Sequence, residues 1–508
     1  MRRAASARHG TDPADGGGLA LGEPAPVPVA WPDAGPGSAA TSRGGGPAPR
    51  ASAAAPSAAP AIVPAATRRL LTAWLALALG SLVVAGVFAI LVAFARTPAV
   101  QLLGSSASLF HLALVSHVTF ALTIWFVAFG GVLWVYAAWR SNLRLSPGAS
   151  WTGWAVAAGG AALAAVPAFT ASGTPYLNDY IPVIDHPLFW VGLVGAFAGV
   201  ALQAAAYLRA WWRARGRGGA LEAAALAVAA VAMLLAVATL ALAWARLDGA
   251  QPLALRLRAL VWGAGHVFQF MHTAGMIAVW VVAAEVALGA PPLQRGRGAL
   301  ATFVPFMLAT AAAYLVWAPE TLLVNRVVTW TSFAGLGGPT LALAALLVAP
   351  VLAARRPLAW SSPLVSGTVL CLLLFAVGGV MGVIGFKQDT RVPAHYHGMV
   401  GAVTLAYMGL APALLELTGR RPWRPWLTRV QPYLYGLGLA GIMIGLHWAG
   451  GRGAPRKTLG FSWADAQALV AMNLMGLGSA LAVAGGLAFV LNIGVPLVRR
   501  PRAEGRAP

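Results

Sequence analysis

Two histidines, His395 and His397, stand two residues apart where an apolar stretch begins, Val392-Pro-Ala-His-Tyr-His-Gly-Met-Val-Gly-Ala-Val-Thr-Leu-Ala-Tyr-Met408. The stretch reads as the outer end of a membrane helix. Each helical residue turns the chain by about 100°, so an i, i+2 pair points to nearly opposite sides. Two imidazoles that face apart cannot easily bind one metal ion, but each can ligate a different one. His117, in an earlier apolar run, is a further candidate ligand.

The elements that must position these side chains follow from composition. Of 508 residues, 59% are hydrophobic and 10% charged, whereas soluble chains hold about half and about a quarter. Repeated apolar runs of roughly 20 residues or more mark a polytopic membrane protein. A bilayer satisfies no backbone polar groups, so the spans must be helices or a closed barrel, and these runs are too long for barrel strands. The expected fold class is an all-α bundle of membrane helices. The net charge of +21 sits in the tails and short loops, where topology places it, and not in a nucleic-acid-binding pattern. Cys371, the single cysteine, excludes a disulfide framework and a CxxC redox or zinc site. It is expected to be a small buried hydrophobe.

Residues 1–65 are rich in Ala, Gly, Pro and Arg and read as a disordered cytoplasmic tail. A membrane domain is expected over 66–498, followed by a basic cytoplasmic tail, 499–508. Within the domain twelve spans are expected, near 69–95, 108–139, 152–172, 186–209, 219–246, 258–289, 299–319, 327–354, 363–386, 394–418, 430–450 and 467–497. Arg140, Arg144, Arg213, Arg297, Arg355, Arg420 and Arg429 crowd the even-numbered loops, while Asp179, Asp185, Asp248, Glu320, Asp389 and Asp465 dilute the odd ones. The positive-inside rule then puts both termini in the cytoplasm. The localisation expected is a bacterial-type inner membrane.

In that topology His111, His117, His186, His266, His272, His395, His397 and His447 all fall in the outer half of the bilayer, on the periplasmic side. Ionisable groups inside a membrane are costly and imply a site by default. His111, His186 and His272 are expected to be ordinary hydrogen-bonded histidines between helices. His117, His395 and His397 suit metal, and imidazole is a common ligand of haem iron. Three such groups at one depth on two helices match one bis-His haem and one singly ligated haem. Glu285 and Glu416, at cytoplasmic span ends, read as solvated boundary charges, and no proton channel stands out.

These residues resemble subunit I of the haem–copper oxidases, especially the B-type cytochrome c oxidases, over roughly residues 69–497. The resemblance rests on Val392-Pro-Ala-His-Tyr-His397, Gly445-Leu-His-Trp-Ala-Gly450 followed by Pro455-Arg456, His117, Tyr180-Ile-Pro with His186, and Trp262-Gly-Ala-Gly-His266. It implies a twelve-helix fold, a low-spin haem between His117 and His397, a high-spin haem on His395, and His266 as a copper ligand. It also implies a periplasmic electron donor such as cytochrome c, a possible small partner subunit, and a place in aerobic respiration. The chain departs from the pattern on the copper side. The family carries two adjacent histidines in its seventh helix, whereas here no histidine lies between His272 and His395. The tyrosine expected four residues after His266 is Phe270.

A lone imidazole is a poor copper site, since tight sites need three or four ligands. His272 is six residues from His266 and about 240° around the helix, so it does not replace the missing pair. Gln269 and Glu320 are the remaining side chains that could add a ligand. Copper is therefore doubtful, and three functions stay open. One is an oxidoreductase that reduces oxygen or nitric oxide. Another is a non-catalytic haem protein for electron transfer or gas binding. The last is a haem-free transporter or assembly protein on the same scaffold.

Overall fold

Within a bilayer the peptide groups of an apolar run can bond only to one another, and the chain meets that demand with helices throughout its spans. The computed structural model describes residues 63–101, 106–214, 220–290, 296–384, 387–459 and 465–499. The expected N-terminal tail, but for residues 63–65, and the C-terminal tail, but for Arg499, lie outside the described residues. Among those described, twelve helices are long and apolar enough to cross a membrane. They are α1 (Ala65–Arg96), α2 (Ala107–Arg140), α3 (Pro147–Phe169), α4 (Pro187–Arg213), α5 (Leu221–Arg246) and α6 (Leu253–Leu288). The second half comprises α7 (Gly296–Val316), α8 (Leu322–Ala353), α9 (Pro363–Val383), α10 (Arg391–Leu417), α11 (Pro425–Gly451) and α12 (Ala466–Val498). The protein is an all-α integral membrane bundle, as its composition requires.

Several helices start earlier than hydropathy suggests. Arg256 and Arg258 lie in the first turns of α6, Arg391 opens α10 and Pro425 opens α11. An apolar window stops at such residues, but the helix need not, because its end stands at the polar interface.

The interior helices are the ones that carry the candidate ligands. The central stretch of α6 is 94% buried and those of α2 and α10 are each 83% buried, against 17% for α8. Histidines placed on the first three therefore look inward, while α8 turns mainly toward lipid.

Two features break the regular helical reading. After His117, α2 passes through a π-helical segment, Thr119–Ile124. The Thr119 hydroxyl donates to the Pro182 carbonyl at 2.9 Å, tying this segment to the loop before α4. π-Bulges inside long helices gather at functional sites. Between α3 and α4 lies an antiparallel pair, β1 (Thr174–Tyr176) and β2 (Val183–Asp185), with Pro175 opposite Ile184. The segment 177–182 that joins the strands is carried over the end of the bundle where the odd-numbered loops lie.

Lipid tails are as apolar as leucine, so helix pairs gain from close backbone approach. The α3–α4 pair shows it: a Cβ on Gly160 would stand 2.3 Å from the Ala196 nitrogen, and one on Gly192 2.3 Å from the Ala164 nitrogen. Backbone cannot yield as a side chain can. Gly160→Val is expected to cost at least about 1–3 kcal/mol, read as a lower melting temperature in detergent, whereas Gly159→Ala, with open space at its Cβ, should leave it unchanged.

Candidate functional site

The two histidines of α10 diverge. His395 turns toward α9, where its Nδ1 donates to the Gly378 carbonyl at 2.7 Å. Gly382 makes this possible, since a Cβ there would fall 2.5 Å from the same nitrogen. His397 donates from Nδ1 to the Pro393 carbonyl of its own helix at 2.7 Å. On α2, His117 donates from Nδ1 to the Ala85 carbonyl of α1 at 3.0 Å. On α6, His266 does the same to Trp262 at 2.7 Å. A backbone carbonyl on Nδ1 fixes the tautomer and ring orientation and makes Nε2 the lone-pair nitrogen, the arrangement metal-binding histidines use.

All of these rings line one cavity of 2250 Å³. That is roughly twice the largest volume usual for a single small-molecule site, about 1,000 Å³. Its walls are mainly apolar, with polar groups gathered at the end where the odd-numbered loops lie. There Arg96, Arg258, Arg456 and Lys457 line the mouth together with Asp179. Lys457 reaches Asp179 at 2.7 Å and Arg456 reaches it at 3.3 Å. Burial pushes the Asp179 carboxyl up, but Lys457 and Arg456 outweigh it and hold the group below its ordinary value. Cations in excess over one carboxylate make this mouth a place for an acid-bearing ligand.

A loop residue completes the outer wall. Tyr180 adopts a left-handed backbone, φ 68°, and its ring lies 4.3 Å from that of His266 and 6.0 Å from that of Tyr396. The loop presses directly on α6, for a Cβ on Gly265 would be 2.6 Å from the Tyr180 Cβ. Burial raises the Tyr180 phenol to about 12. The residue types alone give no role to Tyr180; the glycine beside His266 is the one hint that another segment comes close there.

The other histidines divide. His186 caps α4, its Nδ1 accepting from the Leu188 amide at 3.2 Å, and His111 donates from Nε2 to the Lys457 carbonyl at 3.3 Å. Both act as structural hydrogen-bonding groups. His272 differs from that expectation: it is buried, packs edge-on against Phe126 at 4.7 Å, and its Nε2 has no hydrogen-bond partner among the described residues. His447 lies near the end of α11, outside the group that lines the cavity.

The donor set for copper does not assemble. Among the described residues, no three His, Cys, Asp or Glu side chains come together as a metal site. Glu320 is engaged elsewhere, accepting from the Asp248 amide at 2.9 Å. Phe270, fully buried, packs on Phe303 at 5.9 Å and brings no hydroxyl. His266 thus stands as a single imidazole where a copper would need several.

The end of the bundle where the even-numbered loops lie holds an ion cluster that the sequence did not reveal. Arg140 of α2 meets Glu222 of α5 at 2.8 Å and also Glu285 of α6. Its guanidinium further donates to the Tyr136 hydroxyl at 3.0 Å. Glu285, expected to be solvated, is instead 18% exposed at its side chain and ion-paired.

No family model matches the chain. It is 27% identical over 351 residues to an uncharacterised protein of Aquifex aeolicus, covering 68% of this chain and 84% of that one. It is 25% identical over 375 residues to cytochrome c oxidase subunit 1 of Thermus thermophilus, 65% of each chain. A shorter Thermus thermophilus sequence of the same description is 36% identical over 107 residues, 19% of this chain and 99% of that sequence. In structure, the chain is similar to a haem–copper terminal oxidase solved as a dimer by electron cryo-microscopy. That match has a TM-score of 0.72 and 18% identity, over 87% of this chain and 86% of the other. Sequence and fold agree: the chain has the fold of a haem–copper terminal oxidase and is distantly similar in sequence to cytochrome c oxidase subunit 1, which is consistent with a diverged relative of that superfamily.

Proposed function

We propose that this is a membrane haem protein that holds two haems, one between His117 and His397 and the other on His395. Held there, the two haems would supply a path for electrons from a periplasmic donor such as cytochrome c, by way of the His117/His397 side, to a gas on the His395 side. The observation that carries this reading is the shared cavity of 2250 Å³, into whose walls α2, α6 and α10 each bring an imidazole oriented by a backbone carbonyl. A haem would supply a reversible one-electron couple and, on the His395 side, an iron position for a gas. The chain's own residues do the rest. The carbonyls of Ala85, Pro393 and Gly378 set the ring planes, and Arg96, Arg258, Arg456 and Lys457 suit acidic haem substituents at the mouth. The apolar walls keep water out and thereby tune the potentials. On this reading the sites face the periplasm and both termini the cytoplasm, in keeping with the arginine-rich even loops.

If catalytic, the protein reduces oxygen or nitric oxide. The donor set around His266 favours the second reading: electron transfer or gas binding without the copper step. A reduced-minus-oxidised spectrum, with and without carbon monoxide, separates these alternatives. Expected are bis-imidazole haem bands together with a carbon-monoxide-sensitive band, and iron counts to match. A purified protein with no Soret band would end the haem reading in favour of a haem-free transporter or assembly role. Copper with steady gas turnover would restore the oxidoreductase.

A further inference from the structure

We propose that the space beside His266 is a metal-free pocket in which Tyr180 and Gln269 hydrogen-bond a diatomic ligand that carries negative charge when bound, such as dioxygen or nitric oxide on the haem of His395. This rests on the haem reading above and goes beyond it, replacing a copper centre by a set of hydrogen-bond donors.

The structure brings the donors together by definite means. Gln269 follows His266 by three residues on α6, close to one helical turn, and both line the cavity. The Gln269 amide nitrogen is buried and has no hydrogen-bond partner among the described residues. Buried donors left unmade are costly and uncommon, so an amide facing a cavity calls for an acceptor in that cavity. Tyr180 closes the same space from the loop side, its ring tilted 57° over His266 at 4.3 Å. Its ring lies 6.0 Å from that of Tyr396, and its hydroxyl is directed to the side of the cavity that Gln269 also lines. Holding it there takes a left-handed backbone at Tyr180, a glycine at 265, and the buried Thr119–Pro182 bond at 2.9 Å. Strain of this kind persists only where surrounding structure enforces it, and it gathers at ligand sites. His266 itself, with Nδ1 on the Trp262 carbonyl, presents Nε2 as an acceptor, completing a polar wall in an otherwise apolar cavity.

Such a wall discriminates by charge. Iron-bound dioxygen or nitric oxide places negative charge on its outer atom, which N–H and O–H donors stabilise, whereas bound carbon monoxide carries little. A metal would need more ligands than the wall offers.

The test uses the purified full chain with its native haem complement. Tyr180→Phe and Gln269→Leu are each expected to speed nitric oxide or dioxygen dissociation roughly three- to tenfold, as loss of one hydrogen bond does. Carbon monoxide affinity should change less than about twofold, since its bound form needs little of that hydrogen bonding. The bound carbon monoxide stretch should move to higher frequency as the positive field is lost. An unchanged Soret band shows that each variant has folded and loaded; should Gln269→Leu fail this, Gln269→Met removes the donor with similar volume. Variants that match the parent in dissociation rates and carbon monoxide stretch would overturn the proposal and leave the haem reading intact. So would one copper per chain that His266→Ala removes. A parent protein without a Soret band overturns the haem reading first, and the pocket with it.

Discussion

Alanine at His117 or at His397 should abolish the bis-imidazole spectrum, because on the proposed assignment each removes one axial ligand. The carbonyls that orient these rings, Ala85 on α1 and Pro393 on α10, belong to separate helices, so the ligands fail independently. Loss of an outer-sphere partner already lowers metal affinity about 10–100-fold, and loss of the ligand itself should exceed that. The expected result is loss of the low-spin bands with retention of the carbon monoxide response. His395→Ala should give the converse. His111→Ala should keep both signals, since His111 is not among the residues that line the cavity and its ring bonds instead to the Lys457 carbonyl. Iron content and absorption spectra of the purified variants check all of these together. Loss of both haems in every variant would contradict the assignment of separate ligands.

The second large effect lies at the opposite end of the bundle. Arg140→Met is expected to strip two carboxylates of their counter-ion, one of them Glu222, which is only 1% exposed. Breaking a buried pair from one side typically costs about 3–5 kcal/mol, because the remaining charge is left uncompensated. Adding Glu222→Gln and Glu285→Gln should restore much of the loss, since it removes the stranded charges rather than rebuilding the pair. Detergent-solubilised melting curves of the single and triple variants provide the measurement. A single variant as stable as the parent would show that water reaches the cluster.

Both results depend on features that differ in how well a sequence can show them. The membrane class, the count of spans and their approximate places are legible because the penalty for an unbonded peptide in lipid is local and falls on every residue of a span. The divergence of His395 and His397 is equally local, being fixed by helical pitch. The absence of a histidine pair in the seventh span could also be read directly, and no fold can supply a side chain the chain lacks.

The remaining features depend on contacts between distant segments. The π-segment after His117 depends on an acceptor at Pro182, and Tyr180 reaches His266 only because a loop from between α3 and α4 folds over α6. Glu285 looks like a solvated end charge until α2 brings Arg140 against it. His272 looks like a helix-to-helix hydrogen bonder until the packing leaves its Nε2 without a partner among the described residues. By itself, then, the sequence determined a helical membrane bundle whose histidines gather in a few spans, with none in the seventh. The tertiary structure decided which of those histidines share one cavity, what orients their rings, and which polar groups stand where copper ligands are missing. The physical reason is range: lipid exclusion and helical pitch act within a few residues, whereas a site is built from side chains that only packing brings together.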